Sequence, residues 1–176
     1  MKRIVIVTFL CIVISVFCVG CGKEDSMSEI VFMYESDYGR EGYDDYRLCL
    51  MDYQGNVYYT DNKENSFGSM ENIIENYKLG ELQKKMILYA TRDEAIVQEN
   101  YNRIHDIVIQ EDYELYHDGV ATTAICPEVS WSFVYYDKTG EIQIVDLYRE
   151  GEVDYEPYND TVVEVVEWMN KTMRTK

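Results

Sequence analysis

Thiols, imidazoles and carboxylates are the groups here that could do chemistry, and the chain carries two histidines, five cysteines and 33 acidic residues. His105 and His117 stand apart in sequence. A thiol enzyme needs a cysteine and a histidine held in one pocket, which Cys126 achieves only if the fold brings a histidine to it. The single Cys-x-x-Cys, Cys18 to Cys21, has no second pair to complete a zinc site, and there is no His-Glu-x-x-His. Nor is there a Gly-x-Ser-x-Gly elbow or a Gly-x-x-x-x-Gly-Lys phosphate loop. Asp37, Asp44 and Asp45 share one polar loop, and Asp154, Glu156 and Asp160 share another. Calcium takes about six to eight interleaved oxygens, typically in an Asp-x-Asp-x-Asp-Gly frame, and neither loop has that frame. A carboxylate pair for glycoside hydrolysis is allowed by composition and marked by no pattern. The expectation is no metal and no cofactor.

Seventeen tyrosines suggest a contact surface instead. Tyr38, Tyr43, Tyr155 and Tyr158 fall in the acidic loops, while Tyr58, Tyr59, Tyr135 and Tyr136 fall in strand-like runs. Strand alternation sends one residue of each adjacent pair outward. Cross-strand packing accounts for most of them. Amphipathic tyrosines among carboxylates also suit contact with a protein, a peptide or a glycan.

One cysteine has a more specific context. Met1-Lys2-Arg3 precedes an uncharged run from Ile4 to Val19, 16 residues long. That is short of the ~20 that span a bilayer comfortably as a helix, and it fits the core of a signal peptide. The run ends Val19-Gly20-Cys21, then turns polar through GKEDSMSE. This resembles the lipobox of bacterial lipoprotein precursors, with Cys18 where leucine usually stands. The resemblance covers residues 1 to about 28 only. It implies that the Cys21 thiol is alkylated by a diacylglyceryl group and that a peptidase cuts between Gly20 and Cys21. Each buried CH₂ adds ~0.8 kcal/mol, so two or three acyl chains anchor durably where one does not. The implied division is a signal peptide over 1–20, a lipidated cysteine and short tether over 21–28, and one domain over 29–176. The implied location is the extracytoplasmic face of a bacterial cell membrane. An uncleaved transmembrane anchor is the alternative reading of the same run.

Loss of the signal removes Lys2 and Arg3 and leaves 14 basic against 33 acidic residues, a formal charge of −19. Such a surface excludes nucleic acid as a partner, because phosphate binding needs a basic face. It also holds the domain away from anionic lipid. Cys11 and Cys18 leave with the signal, so Cys49 and Cys126 remain as the pair that an oxidising compartment could bridge. A buried free thiol reads equally well at Cys49, inside RLCLM.

The elements that would position these groups follow from pattern. Strands are expected over Glu29–Glu35, Tyr46–Met51 and Asn56–Thr60, with Asp52-Tyr53-Gln54-Gly55 turning the last two into a hairpin. Ser69 caps a helix running to about Lys78 and stopped by Gly80. Leu82, Met86 and Tyr89 continue a helical period, although MILYAT also reads as a strand. Thr91 and Glu94 form a capping box opening a helix with Ile96, Val97, Tyr101, Ile104 and Val108 on one side. His105 falls on its polar edge, and His117 in a turn. A second hairpin spans Trp131–Tyr136 and Glu141–Tyr148 around Asp137-Lys138-Thr139-Gly140. A terminal helix starts at Asp160 or Thr161, with Val162, Val165, Val166 and Met169 facing inward. The shared Asp-x-x-Gly frame, each time followed by a helix, raises an approximate ββα repeat. The fold class is α+β, an antiparallel sheet of hairpins with helices packed on one side. The functional expectation is a lipid-anchored, non-enzymatic binding module of the cell envelope. A small envelope hydrolase using carboxylates or Cys126 is the rival, and the solute-binding subunit of an importer ranks below both.

Overall fold

The computed structural model describes residues 26–37, 46–62, 68–110, 113, 116–117, 128–151, 155–157 and 159–174. In chain order the elements are β1 (Ser26–Asp37), β2 (Tyr46–Asp52), β3 (Asn56–Thr60), α1 (Met70–Lys78), α2 (Leu82–Lys85) and β4 (Ile87–Thr91). There follow α3 (Glu94–Gln110), β5 (Tyr116–His117), β6 (Glu128–Tyr136), β7 (Ile142–Glu150), β8 (Tyr155–Glu156) and α4 (Asp160–Met173). All strands join one sheet in the order β4-β3-β2-β1-β6-β7-β8-β5, and every pairing is antiparallel. The fold is α+β, with helices packed against this sheet.

β1 occupies the middle because its sequence can be buried on both sides. Ile30, Val31 and Phe32 are consecutive and fully buried, and the register of β1 against both neighbours shifts at this point. A strand with one wet face would alternate; a near-continuous apolar run belongs between two covered faces. On one face Phe32, Cys49, Met51 and Phe133 pack with Val97, Tyr101 and Ile104 of α3 and Val162, Val165 and Met169 of α4. On the other, Ile30, Leu48, Leu50 and Val134 pack with Met70, Ile73 and Ile74 of α1 and Leu82 of α2. The helices thus divide between the two faces, which corrects the one-sided arrangement expected from sequence. The Tyr58/Tyr59 and Tyr135/Tyr136 pairs are corrected for the same reason. Tyr58, Tyr59 and Tyr135 pack into the two clusters, the Tyr136 hydroxyl reaches Glu29, and none of the four is among the exposed large side chains.

The two hairpins explain why the helices must divide. β2 and β6 both run antiparallel to β1, so they run parallel to each other, and β3 and β7 lie outside them. The operation relating β2–β3 to β6–β7 with directions kept is a two-fold axis along β1. Such an axis exchanges the faces of the sheet. The helix following one hairpin then lies opposite the helix following the other, as α1 and α4 do. Side-chain phase agrees: counting back from Asp52 and Asp137, Leu48 and Leu50 face α1 while Phe133 and Tyr135 face α4. The ββα frame read from Asp-x-x-Gly is therefore a repeat in space.

Helix boundaries follow local chemistry. Ser69 accepts from the Asn72 N–H at the start of α1, and Asn159 Oδ1 accepts from the Thr161 N–H at the start of α4. Gly80, at φ 69°, ends the α1 region in the left-handed conformation that glycine adopts freely. Five differences from the sequence reading stand out. The segment after Leu82 forms only the short α2 and then β4, so Ile87–Thr91 is strand. Thr91 belongs to β4 and Asp93 caps α3, its Oδ1 accepting from the Ala95 N–H. Ile96 faces solvent, and His117 lies in β5 instead of a turn. β1 begins at Ser26, three residues ahead of the expected domain edge, with Ser26 and Met27 opposite Tyr136 and Tyr135.

Candidate functional site

A cleft lies where α4 crosses the sheet end formed by the start of β6 and the close of β7. Cross-strand register builds its floor: Tyr34 sits opposite Trp131, Trp131 opposite Tyr148, and Val129 opposite Glu150. The Tyr34 and Trp131 rings lie 4.3 Å apart between centroids, tilted by 38°. α4 supplies the wall through Val163, Val166, Glu167, Asn170 and Arg174, with Pro157 closing one side. Those α4 positions follow helical spacing, one stripe over from the buried Val162, Val165, Met169 and Met173. The helix thus has a core stripe and a cleft stripe.

The cleft encloses about 510 Å³, within the range of small-ligand sites. Its chemistry is layered. The aromatic floor is deep, with Tyr34 only 2% and Trp131 only 3% exposed. Val129 and Val166 are half-buried above it, and Val163, Glu150, Glu167, Asn170 and Arg174 form a solvent-facing rim. Arg174 is a cation at the C-terminal end of α4, where the helix dipole favours positive charge. Lys171, which does not line the cleft, pairs with Glu167 of its rim at 3.2 Å. A smaller cleft of about 320 Å³ lies on the opposite face between β1, β2 and the start of α1, where the Tyr46 hydroxyl donates to Glu35 at 3.0 Å. Tyr46 precedes Asp52 as Trp131 precedes Asp137, so the two clefts occupy related places in the ββα units.

Two polar clusters compete for attention and are built closed. Asp52 is fully buried and accepts from the Gln54 and Asn56 N–H groups, the Asn56 amide, and the hydroxyls of Tyr58 and Tyr77. Burial, and then the Asp52 charge, push both tyrosine hydroxyls to higher pKa. The other cluster ties α1 to β1 and β6. Lys78 and the Tyr136 hydroxyl both hold the Glu29 carboxylate, at 3.0 and 2.8 Å. Burial alone would raise the Glu29 pKa, but these donors outweigh it and hold the carboxyl below its usual range. Every oxygen in these clusters is engaged within the protein, so they bind elements together.

Of the residues singled out from sequence, Cys49 is buried on β2 with Tyr34 and Tyr59 opposite it. Cys126, Gly20, Cys21, Tyr38, Tyr43, Asp44, Asp45, Asp154 and Tyr158 lie outside the described residues, as does the Cys49–Cys126 bridge that depends on one of them. His105 is half-buried on α3, stacked on Tyr101 at 5.4 Å and edge-on to Tyr135 at 5.6 Å. Aromatic packing, not a polar edge, is its setting. Among the described residues no group of acidic, cysteine and histidine side chains is arranged to hold a metal, and no helix is long and apolar enough to cross a membrane. None of the cleft residues was singled out from sequence as a site; Val166, expected to face inward, lines the cleft. The signal present was the second stripe on α4. Compared with known proteins, the chain matches no protein-family model, no curated protein and no solved structure.

Proposed function

We propose that the chain is a bacterial lipoprotein held by acylated Cys21 on the extracytoplasmic face of the cell membrane, with its domain acting as a non-enzymatic binding module. The cleft between α4 and the sheet takes a short peptide segment of an envelope partner. The observation that carries this reading is the layering of that cleft, an apolar interior beneath a rim of both charges. A peptide brings an apolar side chain for the interior and amides or charges for the rim. A glycan would need open aromatic faces to stack on, and Tyr34 and Trp131 present their rings almost wholly to the protein. Glu150 and Glu167 are solvent-facing, without the burial by which sites tune a catalytic carboxyl.

Location and binding are tested separately. In cells, Cys21→Ser is expected to block lipidation and cleavage and to shift the protein out of the processed membrane fraction. An intact Met1, or an unmodified Cys21 thiol, in the mass spectrum of the wild-type protein would overturn the anchor. For binding, Trp131 fluorescence is followed against a peptide library and against peptide-free glycan. Peptide-dependent change that Val163→Arg abolishes is the expected result. Equal response to the glycan, or no effect of Val163→Arg, would overturn the peptide reading.

A further inference from the structure

The α4 cleft carries opposite charges at its two ends. α4 crosses the sheet from β7 toward β2. Its first turn follows β8, which pairs with β7. Farther along, Trp168 packs on Phe32 of β1 at 5.5 Å, and Met173 joins Cys49, Met51 and Val57 in the core. Arg174 comes directly after Met173 and therefore enters the cleft from the β1–β2 side. Glu150 closes β7 at the other end, opposite Val129 of β6.

Neighbouring strands lie about 4.8 Å apart, so β1 and β7, with β6 between them, are about 10 Å apart. Physiological salt screens exposed charges beyond about 8 Å, so Glu150 and Arg174 do little to satisfy each other. Among the described residues, neither side chain makes an ion pair or a hydrogen bond. Glu167, midway along the α4 wall, is already held by Lys171. The cleft therefore offers one open anion, an apolar bed and one open cation, in that order.

Charge complementarity then specifies the occupant. An extended peptide advances about 3.3 Å per residue, so a span of about 10 Å is about three residues. We propose that the segment bound in this cleft carries one basic and one acidic side chain about three to four residues apart, with apolar residues between. The basic side chain meets Glu150 and the acidic one meets Arg174. This rests on the peptide reading of the cleft and adds what the peptide must carry at its ends.

The body of the domain favours a different ranking. A net charge of −17 attracts any cation. Attraction of that kind alone would place a doubly basic peptide above a mixed one, and a mixed one above a doubly acidic one. Arg174 reverses the first step, because a ligand carboxylate meets it at contact distance, whereas charges beyond about 8 Å are screened.

The test uses the full-length chain purified as cells produce it, with dissociation constants from titration calorimetry. The probes are pentapeptides with capped termini and three central leucines. Their ends are two lysines, two aspartates, or one of each in both orders. Wild type is expected to bind the tighter mixed peptide about fivefold or more above either like-charged one. Arg174→Glu should make the doubly basic peptide the tightest, and Glu150→Lys the doubly acidic one. Both residues are exposed, so both variants are expected to keep the wild-type melting temperature. Binding of none of the four peptides would overturn the peptide reading and this inference together. A wild type that prefers the doubly basic peptide, or a ranking that neither variant changes, would overturn this inference alone.

Discussion

At the β2–β3 turn, Asp52 Oδ1 accepts from the N–H groups of Gln54 and Asn56. At the β6–β7 turn, Asp137 Oδ1 accepts from those of Thr139 and Glu141. In each, a side-chain amide reaches Oδ2, from Asn56 or Gln143, and the closing glycine, Gly55 or Gly140, sits at φ 86°. Their surroundings differ. α1 folds over the first turn and delivers Tyr77 to Asp52, while the second turn stays open to solvent with Asp137 bonded only to its own hairpin. One local motif thus becomes a core joint in one place and a surface turn in the other. What decides is the helix packed on that end of the sheet.

The sharpest way to break this comparison is to delete each aspartate. Asp52→Ala strands several buried donors and is expected to cost about 3 kcal/mol or more, read from urea denaturation midpoints. Asp137→Ala should shift the midpoint far less, since water replaces the carboxylate. Equal shifts would mean that burial of the first turn contributes nothing.

The glycines come next. Gly140→Ala carries the ordinary penalty for a left-handed alanine, about 1–2 kcal/mol. Gly55→Ala carries that and a collision as well, because a Cβ there would stand 2.5 Å from the Arg92 carbonyl oxygen. Arg92 N–H also donates to the Gly55 carbonyl at 2.8 Å, so the two backbones cannot part without loss. Gly55→Ala is expected to be the more destabilising by at least about 1 kcal/mol. Tyr77→Phe, which removes one donor from Asp52 and leaves four, should cost about 1–1.5 kcal/mol.

The smallest effects concern pH, and the two turns should fail at opposite ends. Hydrogen bonds from Thr139 lead those that lower the Asp137 pKa, from 3.8 to about 2. A depressed carboxyl adds stability that is complete above its unfolded pKa near 4 and lost as pH falls through 2. Asp137→Asn should flatten the stability profile between those values. Tyr58 and Tyr77 are raised, by burial and then by Asp52. Their contribution is complete below the unfolded value near 10 and is lost as pH rises beyond it. The double variant Tyr58→Phe/Tyr77→Phe should remove that alkaline loss and leave the acid limb untouched.

Much of this was legible before folding. Asp-x-x-Gly marks both hairpins because those residues suit a reversing strand whatever surrounds it. Ser69 and the residues at 160–161 mark helix starts because capping is local, though the cap of the last helix is Asn159. β4 was ambiguous: Leu82, Met86 and Tyr89 fit a helical period, and a short apolar run carries no more information than that. The two-sided burial was written in IVFMY and LCLM, which do not alternate, though nothing local assigns a helix to each face. The cleft was the least legible feature. Tyr34 and Trp131 meet through register across β1 and β6, almost a hundred positions apart in the chain.

By itself the sequence determined the hairpins, the Ser69 cap, the anionic surface and the cysteine context at Gly20-Cys21. Each of these depends on neighbours within a few positions or on composition. Only the tertiary structure decided which turn became buried, which α4 stripe met solvent and which strand was left at the edge. These are outcomes of one global constraint: two ββα units of the same hand, set about a shared central strand, must cover opposite faces of the sheet.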